Sequence, residues 1–386
     1  MSKKHHFFAP CPRGLEAVLA DELTALGAAD IKPIDGGVGF AGDFALCYRA
    51  NLWSRTAARI LWKVAEGPYK SEDDIYRLAL AQDWPKWFDV TRTLRVDTTA
   101  IKCPLKSLDF ITLRVKDAVC DKFRAETNDR PSIDTREPDM RVTVFLTADR
   151  ATLYLDTSGE ALYKRGYRHA AVEAPLRENL AAGILKLTGW VPGTPLLDPM
   201  CGGGTFLVEA AQMALNIAPG SDRWFAFEKF KNFDPDLWGV LYKEAEAGEK
   251  PRTALPIYGS DVDSKSVRAA RANLEAAGLE GVVTVSRADM REVAAPAPEG
   301  VMVMNPPYGE RLSDQEELAA LYPEMGKALK QRFAGWNAYI LTADLRLPKI
   351  MRLTPSRRTP LYNGALECRL FEFKMVAGSN RKPEKA

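Results

Sequence analysis

From about residue 175 onward the chain alternates strand-like and helix-like segments, and no other feature restricts its possible folds as strongly. Short apolar runs of strand length are separated by longer segments whose apolar residues recur at helical spacing. The runs cover 194–198, 256–261, 282–285, 301–304 and 338–341, and the helical segments cover 205–218, 264–277 and 316–333. This alternation predicts an α/β fold in which a parallel sheet carries helices on both faces.

The first 160 residues have a different pattern, in which short strand-like runs alternate with single helices. Apolar spacing predicts one helix over 14–27 and another over 110–124. Four residues of the second helix fall on the side that is expected to be buried: Phe110, Leu113, Ala118 and Phe123. This part of the chain is therefore expected to form α+β units without long parallel strands.

Composition argues against several classes of protein. The 386 residues include 53 basic and 51 acidic side chains, and a net charge of +2 creates no global field that would attract nucleic acid. No apolar run approaches the ~18 residues of a transmembrane helix, and no hydrophobic signal core follows the N-terminus. Six scattered cysteines without a C-x-x-C pair, with only three histidines, predict a cytoplasmic protein that lacks disulfides and a metal site.

Polar residues stand where four predicted strands end: Asp198, Asp261, Asp289 and Asn305. Ligands of open parallel sheets bind at the carboxyl ends of the strands, and the three glycines at 202–204 would let a ligand approach the backbone. The turn matches neither the dinucleotide fingerprint nor a P-loop, so a nucleoside-type ligand without a pyrophosphate is expected. Asp261 would accept from ribose hydroxyls and Asp289 from an adenine amine, although each acid could instead cap a helix.

The segment Asn305-Pro306-Pro307-Tyr308 follows the fourth of these strands. Two successive prolines restrict the backbone, so the neighbouring groups project rigidly from the strand end. The Asn305 side-chain oxygen and the Pro306 carbonyl could accept both hydrogens of an exocyclic base amine and aim its lone pair at a methyl group. Tyr308 offers a flat face on which an extruded base could stack. The segment favours methyl transfer to a planar amine, which needs no histidine base.

Together these motifs resemble the bacterial 23S ribosomal RNA guanine-N2 methyltransferases with a THUMP domain, in the form without a fused guanine-N7 methyltransferase. Further similar blocks within residues 7–376 are 11–16, 48–57, 113–118, 158–160, 165–168 and 363–368. The resemblance implies an α/β Rossmann-like class I methyltransferase domain preceded by α+β ferredoxin-like and THUMP modules. The expected boundaries are 1–65 for the ferredoxin-like domain, 66–160 for THUMP, 161–376 for the methyltransferase and 377–386 for a disordered basic tail.

The same resemblance implies an S-adenosylmethionine-dependent enzyme that binds 23S rRNA or a large-subunit precursor. We expect a monomer with no membrane or metal partner. A flipped guanine would be held at its N2 amine by Asn305, Pro306, Pro307 and Tyr308. Carried over by position, the residues around the cofactor are Asp198, Pro199, Cys201, Gly202, Gly204 and Thr205 at the methionine moiety, Asp261 at the ribose, Asp289 at the adenine, and Pro175 and Leu176 at the pocket floor.

Three other functions are compatible with the motifs: adenine-N6 methylation of RNA or DNA, glutamine-N5 methylation of a release factor, and RNA binding by an inert assembly factor. Neither of the other two enzyme functions gives a reason for the first 160 residues, and an inert pocket need not keep its acids. The aromatic-rich segment 223–238 could stack RNA bases or pack as a small core. Arg165 and Arg168 are candidates for phosphate contacts.

Overall fold

The computed structural model describes residues 4–168, 176–306 and 312–376, which form two compact units. The first unit draws on the chain up to Cys11, Leu19–Leu162 and Gly220–Glu244, and the second on Pro12–Val18, Tyr163–Pro219 and the chain from Ala245. Each unit contains one seven-stranded sheet. No helix in the described part of the chain is long and apolar enough to span a bilayer.

The sheet of the first unit has the order β2-β3-β1-β4-β7-β6-β5. Its strands are β1 (His5–Pro10), β2 (Ala29–Ile34), β3 (Gly37–Gly42), β4 (Leu61–Pro68), β5 (Leu94–Ala100), β6 (Met140–Leu146) and β7 (Arg150–Asp156). The helices in this stretch of sequence are α1 (Glu16–Ala25), α2 (Phe44–Trp53), α3 (Glu72–Leu80), α4 (Trp84–Trp87) and α5 (Leu108–Thr127). Because β4 pairs with both β1 and β7, the sheet is continuous across the middle of the unit. The expected absence of long parallel strands is wrong for one pair, since β5 runs parallel to β6 over seven residues each.

Helix α5 buries a different face from the one that its sequence predicts. Phe110 and Leu113 are 50% and 53% exposed, whereas Ala118 and Phe123 are buried as expected. The buried face is instead formed by a longer apolar stripe: Ile111, Val115, Ala118, Val119 and Phe123. Spacings of four, three, one and four residues keep this stripe on one side of a helix over three turns. The stripe that begins at Phe110 is interrupted, whereas the stripe that begins at Ile111 is continuous and is the one that the helix buries.

The aromatic segment packs as a small core within the first unit. Phe225, Phe227 and Phe230 are buried, and the ring of Phe227 stacks on Tyr48 with 4.4 Å between centroids. Buried rings have no free face for a base, so for these three the packing alternative is confirmed. Trp224 differs, with 84% of its surface exposed.

The sheet of the second unit has the order β10-β9-β8-β11-β12-β14-β13. Its strands are β8 (Leu196–Asp198), β9 (Ile257–Asp261), β10 (Thr284–Arg287), β11 (Gly300–Met304), β12 (Trp336–Thr342), β13 (Arg357–Asn363) and β14 (Leu366–Lys374). The first five in this order are parallel, and β14 and β13 are antiparallel additions at one side. The predicted α/β alternation is confirmed, and the antiparallel pair was not predicted.

Helices cover both faces of this sheet. They are α6 (Glu178–Leu187), α7 (Thr205–Ala214), α9 (Ser264–Ala276), α10 (Leu312–Arg332) and α11 (Leu347–Ile350), while α8 (Pro235–Ala247) and a 3-10 turn (Ala226–Lys229) precede β9. On one face, Met302 and Met304 lie in a core with side chains of α10 and α11. On the other face, β12 meets the end of α6 where the Tyr339 hydroxyl donates to the Thr188 carbonyl.

Helix α7 is four residues shorter than its predicted range of 205–218. Asn216 adopts a left-handed conformation with φ 56°, which ends an α-helix. The beginning of α7 at Thr205 agrees with the prediction. The beginning of α9 agrees as well, because the Asp263 side chain accepts from the amides of Lys265 and Ser266 and caps the helix.

Candidate active site

Four polar residues stand at one edge of the second sheet, as the sequence predicts. Strands β10, β9, β8 and β11 are neighbours and parallel, so their carboxyl ends meet at the same edge. Asp198 and Asp261 end β8 and β9, and Asn305 and Asp289 follow β11 and β10. The order of strands reverses between β8 and β11, which is where open α/β sheets form a ligand crevice. Asp198 ends one of the two strands at this point and Asn305 follows the other.

A Gly-rich turn joins β8 to α7 and is held by hydrogen bonds from three directions. The Cys201 amide donates to the Ser260 carbonyl over 2.9 Å, and the Gly204 amide donates to the Cys201 carbonyl over 2.8 Å. The Asn273 side-chain amide donates to the Gly203 carbonyl over 2.9 Å. A turn fixed in this way presents a defined backbone surface to a ligand.

Glycine is required at one position of this turn for two reasons. Gly204 has φ 79°, in the left-handed region, and a Cβ at this position would lie 3.2 Å from the Cβ of Ala270. Such a contact is tighter than ordinary packing, so Ala270 on α9 would have to move away by a few tenths of an ångström. Gly204 is also the N-cap of α7 and has no side chain to occupy the first-turn amides. The N-cap thus supplies no side-chain acceptor to the amides at the positive end of the helix.

Asp261 connects the end of β9 to the Gly-rich turn. One carboxylate oxygen accepts from the Gly202 amide over 2.9 Å, and the other accepts from the Asp263 amide over 2.9 Å. Each oxygen has a second lone pair, and the residue is only half-buried. Asp261 can thus fix the turn and still accept hydrogen bonds from a ligand's hydroxyl groups.

Asp198 is almost completely buried, with 2% of its surface exposed. Its Oδ1 atom accepts from the Met200 amide over 3.2 Å. Burial raises the pKa of Asp198 to about 8, and the nearby Asp261 carboxylate adds to the rise. The same two acids and burial raise the pKa of the Cys201 thiol, which stays protonated. A buried acid with such a pKa favours a cationic ligand, because a positive charge would offset the cost of ionising it.

Asp289 is engaged by an arginine two residues along the chain. Arg291 donates from Nε and Nη2 to the Asp289 carboxylate, over 2.9 and 2.5 Å. This hydrogen bond and the charge of Arg291 lower the pKa of Asp289, which is therefore ionised. No helix starts here, so Asp289 is not a helix cap, and its side chain keeps 19% exposure.

The structure describes only part of the predicted catalytic segment. Asn305 is half-buried and Pro306 is buried, directly after the fully buried strand β11. Pro307 and Tyr308 lie outside the described residues, as does Pro175 of the predicted pocket floor. Leu176 is described and buried. The position of Asn305 at the edge of the sheet is therefore fixed by β11, the buried strand that it follows.

A buried polar cluster beside the Gly-rich turn was not predicted. Arg168 donates to Glu178 from Nε and Nη2, over 3.0 and 2.9 Å, and Nη2 also donates to the Thr205 hydroxyl over 3.1 Å. Arg165 donates to Glu209 over 3.1 Å, and the side chains of this pair are 2% and 0% exposed. Arg165 is therefore not placed for phosphate contact. The signal in the sequence was the presence of Glu178 and Glu209 in otherwise apolar helical segments.

Comparisons with known proteins agree on three successive regions. Residues 6–61 match the model of an RlmL ferredoxin-like domain, and residues 69–156 match the THUMP domain model. Residues 165–372 match the model described as an RMKL-like methyltransferase domain. The third match alone covers more than half of the chain.

Similar curated proteins are methyltransferases. A putative RNA methyltransferase of Synechocystis is 40% identical, and the match covers 96% of both chains. The ribosomal RNA large subunit methyltransferases K/L of Syntrophotalea carbinolica and Methylococcus capsulatus are 41% and 42% identical over 96% and 97% of this chain. This chain spans about half of each of those two proteins, 53% and 52%.

Similar solved structures cover nearly the whole chain. The putative methyltransferase SMU.472, crystallised with SAH, has a TM-score of 0.89 and 33% identity, with 98% of this chain and 100% of that one covered. A structure from Listeria monocytogenes, described as a predicted N6-adenine-specific DNA methylase, has a TM-score of 0.87 and 32% identity, with 97% of each chain covered.

Proposed function

This chain belongs to the family of RMKL-like methyltransferases, and we propose that it methylates the exocyclic N2 amine of a guanine in 23S ribosomal RNA. The observation that carries the proposal is the pairing of β8 with β11, which sets the Gly-rich turn and Asn305 on either side of one crevice. The turn would hold the methyl donor and Asn305 the acceptor. Holding two bound reactants close together and in line accelerates the reaction between them.

The methyl donor is S-adenosylmethionine, in keeping with the SAH-bound relative. When bound, it supplies an electrophilic methyl group on a positively charged sulfur. Asp198 fits such a ligand, since it is buried at the rim and among the described residues has no cationic partner. We place the methionine moiety along Asp198, Pro199, Cys201, Gly202, Gly204 and Thr205, the ribose at Asp261 and the adenine at Asp289, with Leu176 and Pro175 below.

The target amine would be held by two acceptors. Asn305 Oδ1 and the Pro306 carbonyl accept its hydrogens, so the nitrogen lone pair is directed out of the ring plane toward the methyl group. The buried position of Pro306 and the fixed φ of proline limit the motion of these acceptors. Tyr308 would stack on the flipped base, and Pro307 would keep it in place.

The substrate assignment rests on the modules that precede the methyltransferase. A THUMP match at 69–156 and the names of the K/L relatives both support ribosomal RNA. The choice of guanine N2 rests on the family resemblance of the motifs. Adenine N6 presents a similar planar amine and is the competing target.

Mass spectrometry of nucleosides distinguishes the two targets. Purified protein is incubated with methyl-deuterated S-adenosylmethionine and either naked 23S rRNA or a large-subunit precursor, and the RNA is digested. We expect labelled N2-methylguanosine with at least one of these substrates, and its initial rate of formation should fall by about 10²-fold or more with Asn305→Ala. A matched variant, Asn363→Ala at the β13–β14 turn, should retain the product. Label in N6-methyladenosine, or no label in RNA, would overturn the proposal.

A further inference from the structure

Arg168 ties together three segments around the Gly-rich turn. It donates to Glu178 at the start of α6, to the Leu176 carbonyl over 3.1 Å and to the hydroxyl of Thr205, the first residue of α7. Its side chain is 21% exposed and that of Glu178 is 7% exposed. All of these bonds use Nε and Nη2, which form one edge of the guanidinium group.

The other edge of this guanidinium group has no acceptor in the part of the chain that the structure describes. Arg168 Nη1 is buried from solvent and has no hydrogen-bond partner among the described residues. An arginine keeps its charge at any physiological pH, and an unsatisfied buried N–H of a charged group is costly. A buried polar group without a partner in a native structure calls for an explanation, and an ion or ligand that binds there is one.

The position of the open donor indicates what kind of ligand would satisfy it. The Thr205 hydroxyl accepts a hydrogen bond from Arg168 Nη2. Thr205 follows Gly204, the N-cap of α7, which has no side chain to cap the first amides of the helix. A cationic donor beside helix amides that have no side-chain cap suits an anionic oxygen ligand, such as a carboxylate. The methionine moiety that we place along this turn carries one such group, its α-carboxylate.

We propose that Arg168 binds the α-carboxylate of S-adenosylmethionine through Nη1 and is a carboxylate anchor of the cofactor site. This inference rests on the placement of the cofactor on the Gly-rich turn described above. Arg168 thereby has two duties, because its other edge orients Glu178 and Thr205. A phosphate of the RNA backbone is the alternative anion, but three internal acceptors and 79% burial hold the side chain away from a large ligand.

The test compares S-adenosylhomocysteine with its decarboxylated analogue, which differs only in the carboxylate. Isothermal titration calorimetry measures both ligands on the wild type, Arg168→Met and Arg168→Lys. In the wild type we expect at least ~10-fold tighter binding of S-adenosylhomocysteine, since one charge-assisted hydrogen bond contributes about 1.5–3 kcal/mol. In Arg168→Met this preference should largely disappear, because S-adenosylhomocysteine loses more affinity than the analogue does. A loss common to both ligands reports the second duty of Arg168, toward Glu178 and Thr205. Arg168→Lys keeps the charge but lacks the planar guanidinium group, so it should retain part of the preference for S-adenosylhomocysteine.

Among the described residues, the guanidinium of Arg177 lies 5.0 Å from the centroid of the Tyr163 ring and makes no hydrogen bond to the acceptors of Arg168, so Arg177→Met is the matched control. It should leave both affinities unaltered. Equal weakening of both ligands by Arg168→Met would show a purely structural role, and unchanged binding of S-adenosylhomocysteine with weakened RNA binding would favour the phosphate. If Arg168→Met does not fold, Arg168→Lys alone is compared with the wild type. An identical preference for S-adenosylhomocysteine over the analogue in these two proteins would overturn the assignment. If the wild type binds neither ligand, the cofactor placement itself fails.

Discussion

The Asp261 carboxylate accepts a hydrogen bond from the Gly202 amide over 2.9 Å, so the acid that ends β9 holds the turn that follows β8. One side chain therefore fixes the shape of the Gly-rich turn and remains able to bind a ribose. In the proposed cofactor site this double role would join the ends of two neighbouring strands. It also means that a substitution of Asp261 acts on binding through both the turn and the ligand.

Asp261→Asn should weaken binding of S-adenosylhomocysteine about 10- to 100-fold, the value of one hydrogen bond to a charged group. The amide can offer a donor where the Gly202 N–H needs an acceptor, and it loses the charge that favours ribose hydroxyls. Calorimetry measures the change. The control, Asp263→Asn, removes a negative charge two residues further along the chain, where asparagine caps the helix as well as aspartate does. This variant should bind S-adenosylhomocysteine with the affinity of the wild type. Equal weakening by the two variants would contradict the role of Asp261.

Asp198→Asn should raise the melting temperature of the cofactor-free protein at neutral pH. The pKa of Asp198 is about 8 in the folded chain against an ordinary value of 3.8. Between these values the folded state retains a proton that the unfolded state releases, so the wild type loses stability as pH rises from about 4 to 8. Asparagine cannot ionise and does not suffer this loss.

The difference in melting temperature between Asp198→Asn and the wild type should therefore grow from pH 5 to pH 8, as measured by differential scanning calorimetry. Binding of S-adenosylmethionine should weaken in the same variant, because the negative charge beside the cation is gone. A temperature difference that is constant or shrinks with pH would contradict the raised pKa of Asp198 in the folded chain.

Gly204→Ala should destabilise the protein and weaken cofactor binding together. A left-handed φ costs a residue with a Cβ roughly 1–2 kcal/mol, and the 3.2 Å contact with Ala270 adds to this cost. Gly189→Ala is the control, since φ is 70° and no atom lies within 4 Å of its added Cβ. The control should lower the midpoint of urea unfolding less than Gly204→Ala and leave the cofactor affinity unaltered. If both variants bind the cofactor normally, the turn does not contact it.

The sequence predicted the edge of the second sheet well because local pattern and topology agree there. Parallel strands that end in Asp198, Asp261 and Asn305 must bring those residues to one edge, whatever the details of packing. Gly-rich and proline-containing segments constrain their own backbone, so their effect is visible without tertiary contacts. The roles assigned to these residues remain proposals.

Other features depend on contacts that a linear pattern does not reveal. Helix α5 carries apolar residues in two phases, and the sheet selects Ile111 and Val115 over Phe110 and Leu113. The segment Gly220–Glu244 interrupts the second unit in sequence but packs in the first, where Tyr48 covers Phe227. Arg165 and Arg168 look like surface charges until α6 and α7 provide Glu178 and Glu209 as partners.

Single-turnover methyl transfer by Asn305→Ala, measured beside its affinity for S-adenosylhomocysteine, tests the central claim most directly. Loss of one acceptor that acts on the amine in the transition state should slow transfer to 23S rRNA by about 10²-fold or more, while the dissociation constant of the cofactor product stays within about twofold of the wild type. An unaltered transfer rate, or an equal loss of rate and cofactor affinity, would contradict an amine-holding role for Asn305.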